Sequence, residues 1–114
     1  MSVRCSHILL KHTGSRNPTS RRTNEPVTLT PEEARAELQD ILDFLKQKGP
    51  EEFQKMAAKR SDCSSCRSGG DLGAFERGMM QKPFEDASFA LEVGGMTQEI
   101  VETDSGSHII MRFA

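Results

Sequence analysis

Residues 3–10 alternate with two partly apolar sides, Val3, Cys5, His7 and Leu9 on one and Arg4, Ser6, Ile8 and Leu10 on the other. The run is too short for a helix and includes β-branched residues, so it predicts a strand. A strand with apolar groups on both sides belongs in the middle of a sheet that is covered on both faces. At 114 residues the chain fits one domain, residues 1–114, which can bury roughly two-thirds of its unfolded surface. Its 23 Leu, Ile, Val and Phe residues and net charge of -2 argue against disorder.

What can cover that strand follows next. Thr30 and Glu33 form a capping-box pair, Pro31 sits at the first helical position, and Ala34, Leu38, Ile41, Leu42 and Leu45 fall on one stripe. Gly49 ends this helix. Pro50 opens a second one with Phe53, Met56 and Ala57 on its stripe. Residues 61–73 are irregular, residues 72–75 read as a short strand, and residues 78–81 as a turn. Pro83 starts a third helix carrying Phe84, Ala87 and Leu91, stopped by Gly94 and Gly95. Residues 100–103 and 108–113 flank Asp104, Ser105 and Gly106, a hairpin pattern. Strands at both ends with helices between predict an α+β domain and a mostly antiparallel sheet.

The near-neutral total hides a segregation. Arg4, Lys11, Arg16, Arg21 and Arg22 precede the first acidic residue, Glu25, and the rest of the chain carries 10 basic and 17 acidic residues. Four of those five cations lie in residues 11–29, a long polar stretch without periodicity. A loop of this length inside a compact domain is usually functional or disordered. No apolar run approaches a membrane span, and the N-terminus lacks a signal-peptide pattern. An odd count of three cysteines fits reduced thiols in the cytosol or nucleus.

Four groupings could carry chemistry. Cys63 and Cys66 form C-x-x-C, and with Cys5 and His7 could supply a Cys3His zinc set, but the spacing lacks the usual pattern. A redox pair would open a long helix after a strand, whereas this one follows a helix and precedes Gly-Gly, so Cys66 reads as an incidental loop thiol. His7 and His108 lie on strands at opposite ends of the chain, where pairing would bring them together to shape a site. His12 reads as solvated. Lys11, Arg16, Arg21 and Arg22 can gather around one anion; no aromatics are interleaved, which disfavours nucleic acid and suits a discrete phosphate. Leu72, Met79, Met80 and Phe84, with Gln81 among them, suggest a shallow apolar pocket.

The motifs CSHILLKH (residues 5–12), SDCSS (61–65), GDLGAF (70–75), QKPFEDASFAL (81–91) and TDSGSHII (103–110) resemble, in order and over essentially the whole chain, a parvulin peptidyl-prolyl cis/trans isomerase of the Pin-type, phosphorylation-directed branch. The resemblance implies a four-stranded antiparallel sheet surrounded by four helices, the fourth being a short turn between Ser64 and Ser68. It implies an isomerase acting on Ser/Thr-Pro bonds with a preference for phosphoSer/phosphoThr-Pro, by non-covalent stabilisation of the twisted amide, with no metal and no cofactor. Leu72, Met80 and Phe84 would cup the proline ring. Cys63, His7, His108, Gln81, Thr103 and Ser105 would surround the rotating amide.

Lys11 and Arg16 match the family's phosphate-holding positions. The second consecutive arginine common there is Asn17 here, which removes one guanidinium and leaves Arg21 or Arg22 to replace it. The chain has no Trp, so no WW module is expected. Phosphorylated Ser/Thr-Pro proteins as partners, a monomer, and a cytoplasmic and nuclear location are further implications of the resemblance. A non-catalytic phosphopeptide-binding module on the same fold is the alternative; the retained Cys63, Gln81 and both histidines favour the enzyme.

Overall fold

A computed structural model describes residues 2–114. The elements are strand β1 (Ser2–Leu10), helix α1 (Pro31–Lys48), helix α2 (Phe53–Arg60), strand β2 (Asp71–Glu76), helix α3 (Lys82–Ala90), and strands β3 (Val101–Thr103) and β4 (Gly106–Arg112). Two 3-10 turns, Pro50–Glu52 and Ser64–Ser68, precede and follow α2. The sheet is antiparallel in the order β2-β1-β4-β3, which puts the two-faced N-terminal strand in the interior. The expected fourth helix is the 3-10 turn at Ser64–Ser68. The helix expected to open at Pro50 begins as a separate turn, and its α-helical part starts at Phe53. Helix α3 ends at Ala90, ahead of Gly94 and Gly95, because Leu91 already takes an extended conformation.

Each face of β1 meets a different partner. Ile8 and Leu10, with Ile109 and Met111 of β4, pack against Leu38, Ile41, Leu42 and Leu45 of α1 and Phe53 and Ala57 of α2. Helix α1 is started as its sequence implies: Thr30 Oγ1 accepts the Glu33 amide at 3.1 Å, and Glu33 Oε1 accepts the Thr30 amide at 2.9 Å. On the opposite face Val3, Cys5 and Ile110 pack against Phe75 of β2 and Phe84 of α3. His7 and His108 share this second face, since His7 pairs with Ile110 and Leu9 with His108 across β1 and β4.

Beside β1, strand β2 carries a bulge. The pairing runs Arg4–Ala74 and then Ser6–Asp71, so Leu72 and Gly73 oppose the single residue Cys5. Gly73 takes φ +75, and Asp71 Oδ1 accepts its amide at 2.8 Å. Just before β2, Gly70 (φ +85) lies directly against β1. A Cβ there would collide with the His7 carbonyl oxygen and meet Ala57 Cβ at 3.0 Å. Among the described residues, no helix is long and apolar enough to cross a membrane.

The two glycines allow a controlled comparison, because both sit at positive φ but only Gly70 is crowded. Gly73→Ala should cost about 1 kcal/mol of backbone strain. Gly70→Ala should cost about 3 kcal/mol or more, since backbone must move as well. Urea denaturation midpoints measure the difference. Equal costs would mean that β1 yields at His7.

Candidate functional site

The pairing of β1 with β4 sets the centre of the site. His7 and His108 are both nearly buried, and their Nδ1 atoms lie 3.0 Å apart. Phe84, on the first turn of α3, meets both rings edge-on, with centroids 5.5 Å from His7 and 5.1 Å from His108. Beyond His108, Nε2 lies 2.7 Å from Thr103 Oγ1 across the β3–β4 hairpin. Thr103 Oγ1 also accepts the Ser105 amide at 3.1 Å. Gln81 closes the rim: its Nε2 donates to Ser105 Oγ at 2.8 Å, and its Oε1 accepts the Asp104 amide at 3.0 Å. Both amide groups of one side chain therefore fix the hairpin turn against the start of α3.

Cys63 reaches the same centre from the other side. It is half-buried and follows Ser61 and Asp62, which are bound to the end of β1. Ser61 Oγ accepts the Leu9 amide at 3.0 Å, Asp62 Oδ2 accepts the Lys11 amide at 2.9 Å, and the Asp62 amide donates to the Leu9 carbonyl at 2.7 Å. Asp62 is only 2 % exposed, and its charge is met by Arg60 at 3.3 Å. Burial pushes the Cys63 thiol up. A hydrogen bond and electrostatic attraction from His7, with hydrogen bonds from Ser65, outweigh that and bring it down to about 6.

His7 Nδ1 is engaged by His108 Nδ1, 3.0 Å away. Burial, together with the charge of His7, holds His108 well below the usual imidazole range, so His108 is neutral at pH 7. His7, His108 and Thr103 thus form a line of contacts that ends at the hairpin.

Two cavities flank this centre. One, of about 110 Å³, is lined by Leu72, Met80 and Phe84 with His7, His108, Gln81, Thr103 and Ser105. The other, of about 510 Å³, is lined by Lys11, Arg16, Asn17, Arg21, Cys63 and Ser105, completed by Leu9 and Ser64. Every residue expected around the amide therefore lines one cavity or the other, and Ser105 lines both. Arg22 lines neither.

Met79 leaves the apolar patch expected of it. It is 63 % exposed, with its sulfur 3.3 Å from the Glu76 amide, because the turn before α3 points Met79 outward and Met80 inward. Cys66 is not a loop thiol in solvent but 5 % exposed inside the 3-10 turn. His12 is half-buried, its Nδ1 accepting the Gly14 amide at 3.0 Å. Ser61 and Asp62 stand in the SDCSS motif but carry no sequence signal of their own for a place at the site, because their role depends on meeting β1. Among the described residues, no group of three or more His, Cys, Asp or Glu is placed to hold a metal ion.

The lowered Cys63 thiol has a direct test. Iodoacetamide alkylation at Cys63, followed by site-resolved mass spectrometry, should rise with pH around a midpoint near 6. In His7→Ala the midpoint should move up toward the ordinary thiol value of about 8.5. An unchanged midpoint in that variant would assign the shift to another group.

Comparison with known proteins fits this geometry. Residues 1–113 match the model of the PPIC-type PPIase domain. A buparvaquone-resistant peptidyl-prolyl cis-trans isomerase NIMA-interacting 1 of Theileria annulata is 54% identical over 114 residues, covering 98% of this chain and 80% of that protein. Peptidyl-prolyl cis-trans isomerase Pin1 of Arabidopsis thaliana is 49% identical over 115 residues, covering 98% and 95%. The solution structure of TbPIN1 superposes with a TM-score of 0.88 at 48% identity, covering 99% of this chain and 97% of that one. The isomerase ESS1 of Candida albicans superposes at 0.94 with 40% identity, and there the alignment takes in 99% of this chain and 63% of the other. The chain therefore belongs to the PPIC-type family of peptidyl-prolyl cis-trans isomerases and has the parvulin fold of its Pin1 and ESS1 relatives.

Proposed function

We propose that the enzyme prefers phosphoSer-Pro and phosphoThr-Pro bonds and turns them by binding the twisted amide without covalent attack. The observation that carries this reading is the adjacency of the two cavities through Ser105. One is apolar and holds roughly the volume of four waters at about 30 Å³ each, which suits one five-membered ring. The other is cationic, and its lining contains no carboxylate. Consecutive Cα atoms are about 3.8 Å apart, so neighbouring sites suit neighbouring residues, a phosphorylated side chain and the proline after it. Lys11 and Arg16 supply charge and a planar fork for that phosphate.

The barrier to X–Pro rotation is about 18–20 kcal/mol and arises from amide resonance. Resonance places negative charge on the carbonyl oxygen in the planar states, and twisting removes it. A thiolate at Cys63 beside that oxygen raises the energy of the planar states more than that of the twisted one. The same twist leaves a lone pair on the proline nitrogen, which a donor at the hairpin rim can meet. Gln81 and Ser105 are held there by each other. No bond to the substrate forms or breaks in this scheme.

Phosphate preference is measured with matched Ser-Pro and phosphoSer-Pro peptides in a protease-coupled isomerisation assay. kcat/KM should be higher for the phosphorylated peptide, and Lys11→Ala with Arg16→Ala should bring the ratio toward one. Equal values for the parent enzyme would sink the reading. For the mechanism, Cys63→Asp should retain much of the activity, because it keeps a negative charge without a thiol, while Cys63→Ser should fall below it. A Cys63→Asp enzyme without activity would restore covalent attack, and full activity in Cys63→Ser would remove the motive for the electrostatic role.

A further inference from the structure

Arg21 and Arg22 are adjacent in sequence but differ in placement. The backbone over residues 20–25 is a tight turn: Ser20 Oγ receives the Arg22 and Thr23 amides at 3.2 and 3.4 Å, and the Ser20 carbonyl accepts the Asn24 amide at 2.8 Å. Ser20 itself is 3 % exposed, which fixes the turn to the body of the protein. The Arg21 amide donates to the Asp62 carbonyl at 2.8 Å, so Arg21 is anchored one residue from Cys63, and Arg21 lines the cationic cavity. Arg22 points elsewhere, with a buried Nε that has no partner.

The cavity is left without a carboxylate of its own. Among the described residues, no carboxylate lies within ion-pair distance of Lys11, Arg16 or Arg21, while the arginines at positions 4, 35, 60 and 77 all pair with acidic side chains. Lys11 is already committed in part, its Nζ donating to the Thr19 carbonyl at 2.7 Å. Burial lowers the Lys11 ammonium, and the charge of Arg21 lowers it further, as expected of two cations facing one space. Arg16 alone at its position, followed by Asn17, offers one planar fork where two would grip a tetrahedral phosphate from two sides.

We infer that Arg21 is the second guanidinium of the phosphate seat, joining Arg16 in the cavity that Asn17 also lines. The inference rests on the phosphate preference proposed above and assigns a determinant of it. It makes this seat a three-point arrangement, Lys11 from the end of β1, Arg16 from the start of the loop and Arg21 from its turn. Because the Arg21 amide is held by the residue before Cys63, the seat and the thiol move together.

The test is the ratio of kcat/KM for phosphoSer-Pro over Ser-Pro peptides in four enzymes. Arg21→Ala should lower the ratio about tenfold, the size expected for one charged hydrogen-bonding group. Arg22→Ala should leave the ratio at the parent value. Asn17→Arg placed in the Arg21→Ala background should recover much of it, since position 17 lines the same cavity. A parent enzyme without preference overturns the phosphate reading itself. A parent with preference that Arg21→Ala keeps, or that Arg22→Ala loses, overturns only the assignment to Arg21. A loss in Arg21→Ala that is equal on both peptides also overturns it, because that would be a general effect on the fold.

Discussion

The structure depends on how the exposed edge of β1 is satisfied after β2 stops. Strand β2 pairs with β1 only as far as Ser6. The next amides on that edge belong to His7, Leu9 and Lys11. They are taken in turn by the Gly70 carbonyl at 3.0 Å, Ser61 Oγ at 3.0 Å and Asp62 Oδ2 at 2.9 Å. A buried amide left unpaired costs about 1–3 kcal/mol, so three of them in a row amount to a large part of a small domain's stability. The sheet therefore continues by side chains and loop carbonyls in place of a strand. That substitution opens the space in which Cys63 and the basic loop sit.

Asp62 is the costliest member of this arrangement. A carboxylate at 2 % exposure needs full compensation, and it has the Lys11 amide on one oxygen and the Arg60 guanidinium on the other. Arg60 is in turn paired with Glu37 of α1. A line of charge therefore runs from α1 through α2 to the root of the basic loop. Removing one member of such a buried group typically costs more than the group contributes, because the remaining charge is stranded. The arrangement fixes the backbone of Lys11 beside the segment that carries Cys63.

Much of this was legible in the chain itself. The two-faced pattern of residues 3–10 placed β1 inside the sheet, the Thr30–Glu33 pair placed the start of α1, and strands at both ends brought His7 to His108. What stayed hidden was decided by turns. Met79 and Met80 are chemically equal, and only the backbone before α3 sends one to solvent and the other to the cup. Arg21 and Arg22 are equal in the same way, and the turn built on Ser20 separates them. Asp62 carries no pattern of its own, since an acidic residue in a polar segment reads as solvated until β1 is seen to end beside it.

The site also has an internal electrostatic balance. Cys63 at about 6 is mostly thiolate at neutral pH, and its negative charge helps keep Lys11 protonated against burial and Arg21. A phosphate dianion seated among Lys11, Arg16 and Arg21 would take over that part, and its own charge would act on the thiolate beside it. The effect on Cys63 must be upward, because a like charge disfavours the ionised form. His7 opposes this, and it lines the smaller cavity and not the cationic one. A phosphate bound in the cationic cavity, as proposed, would therefore leave in place the His7 charge that lowers the thiol.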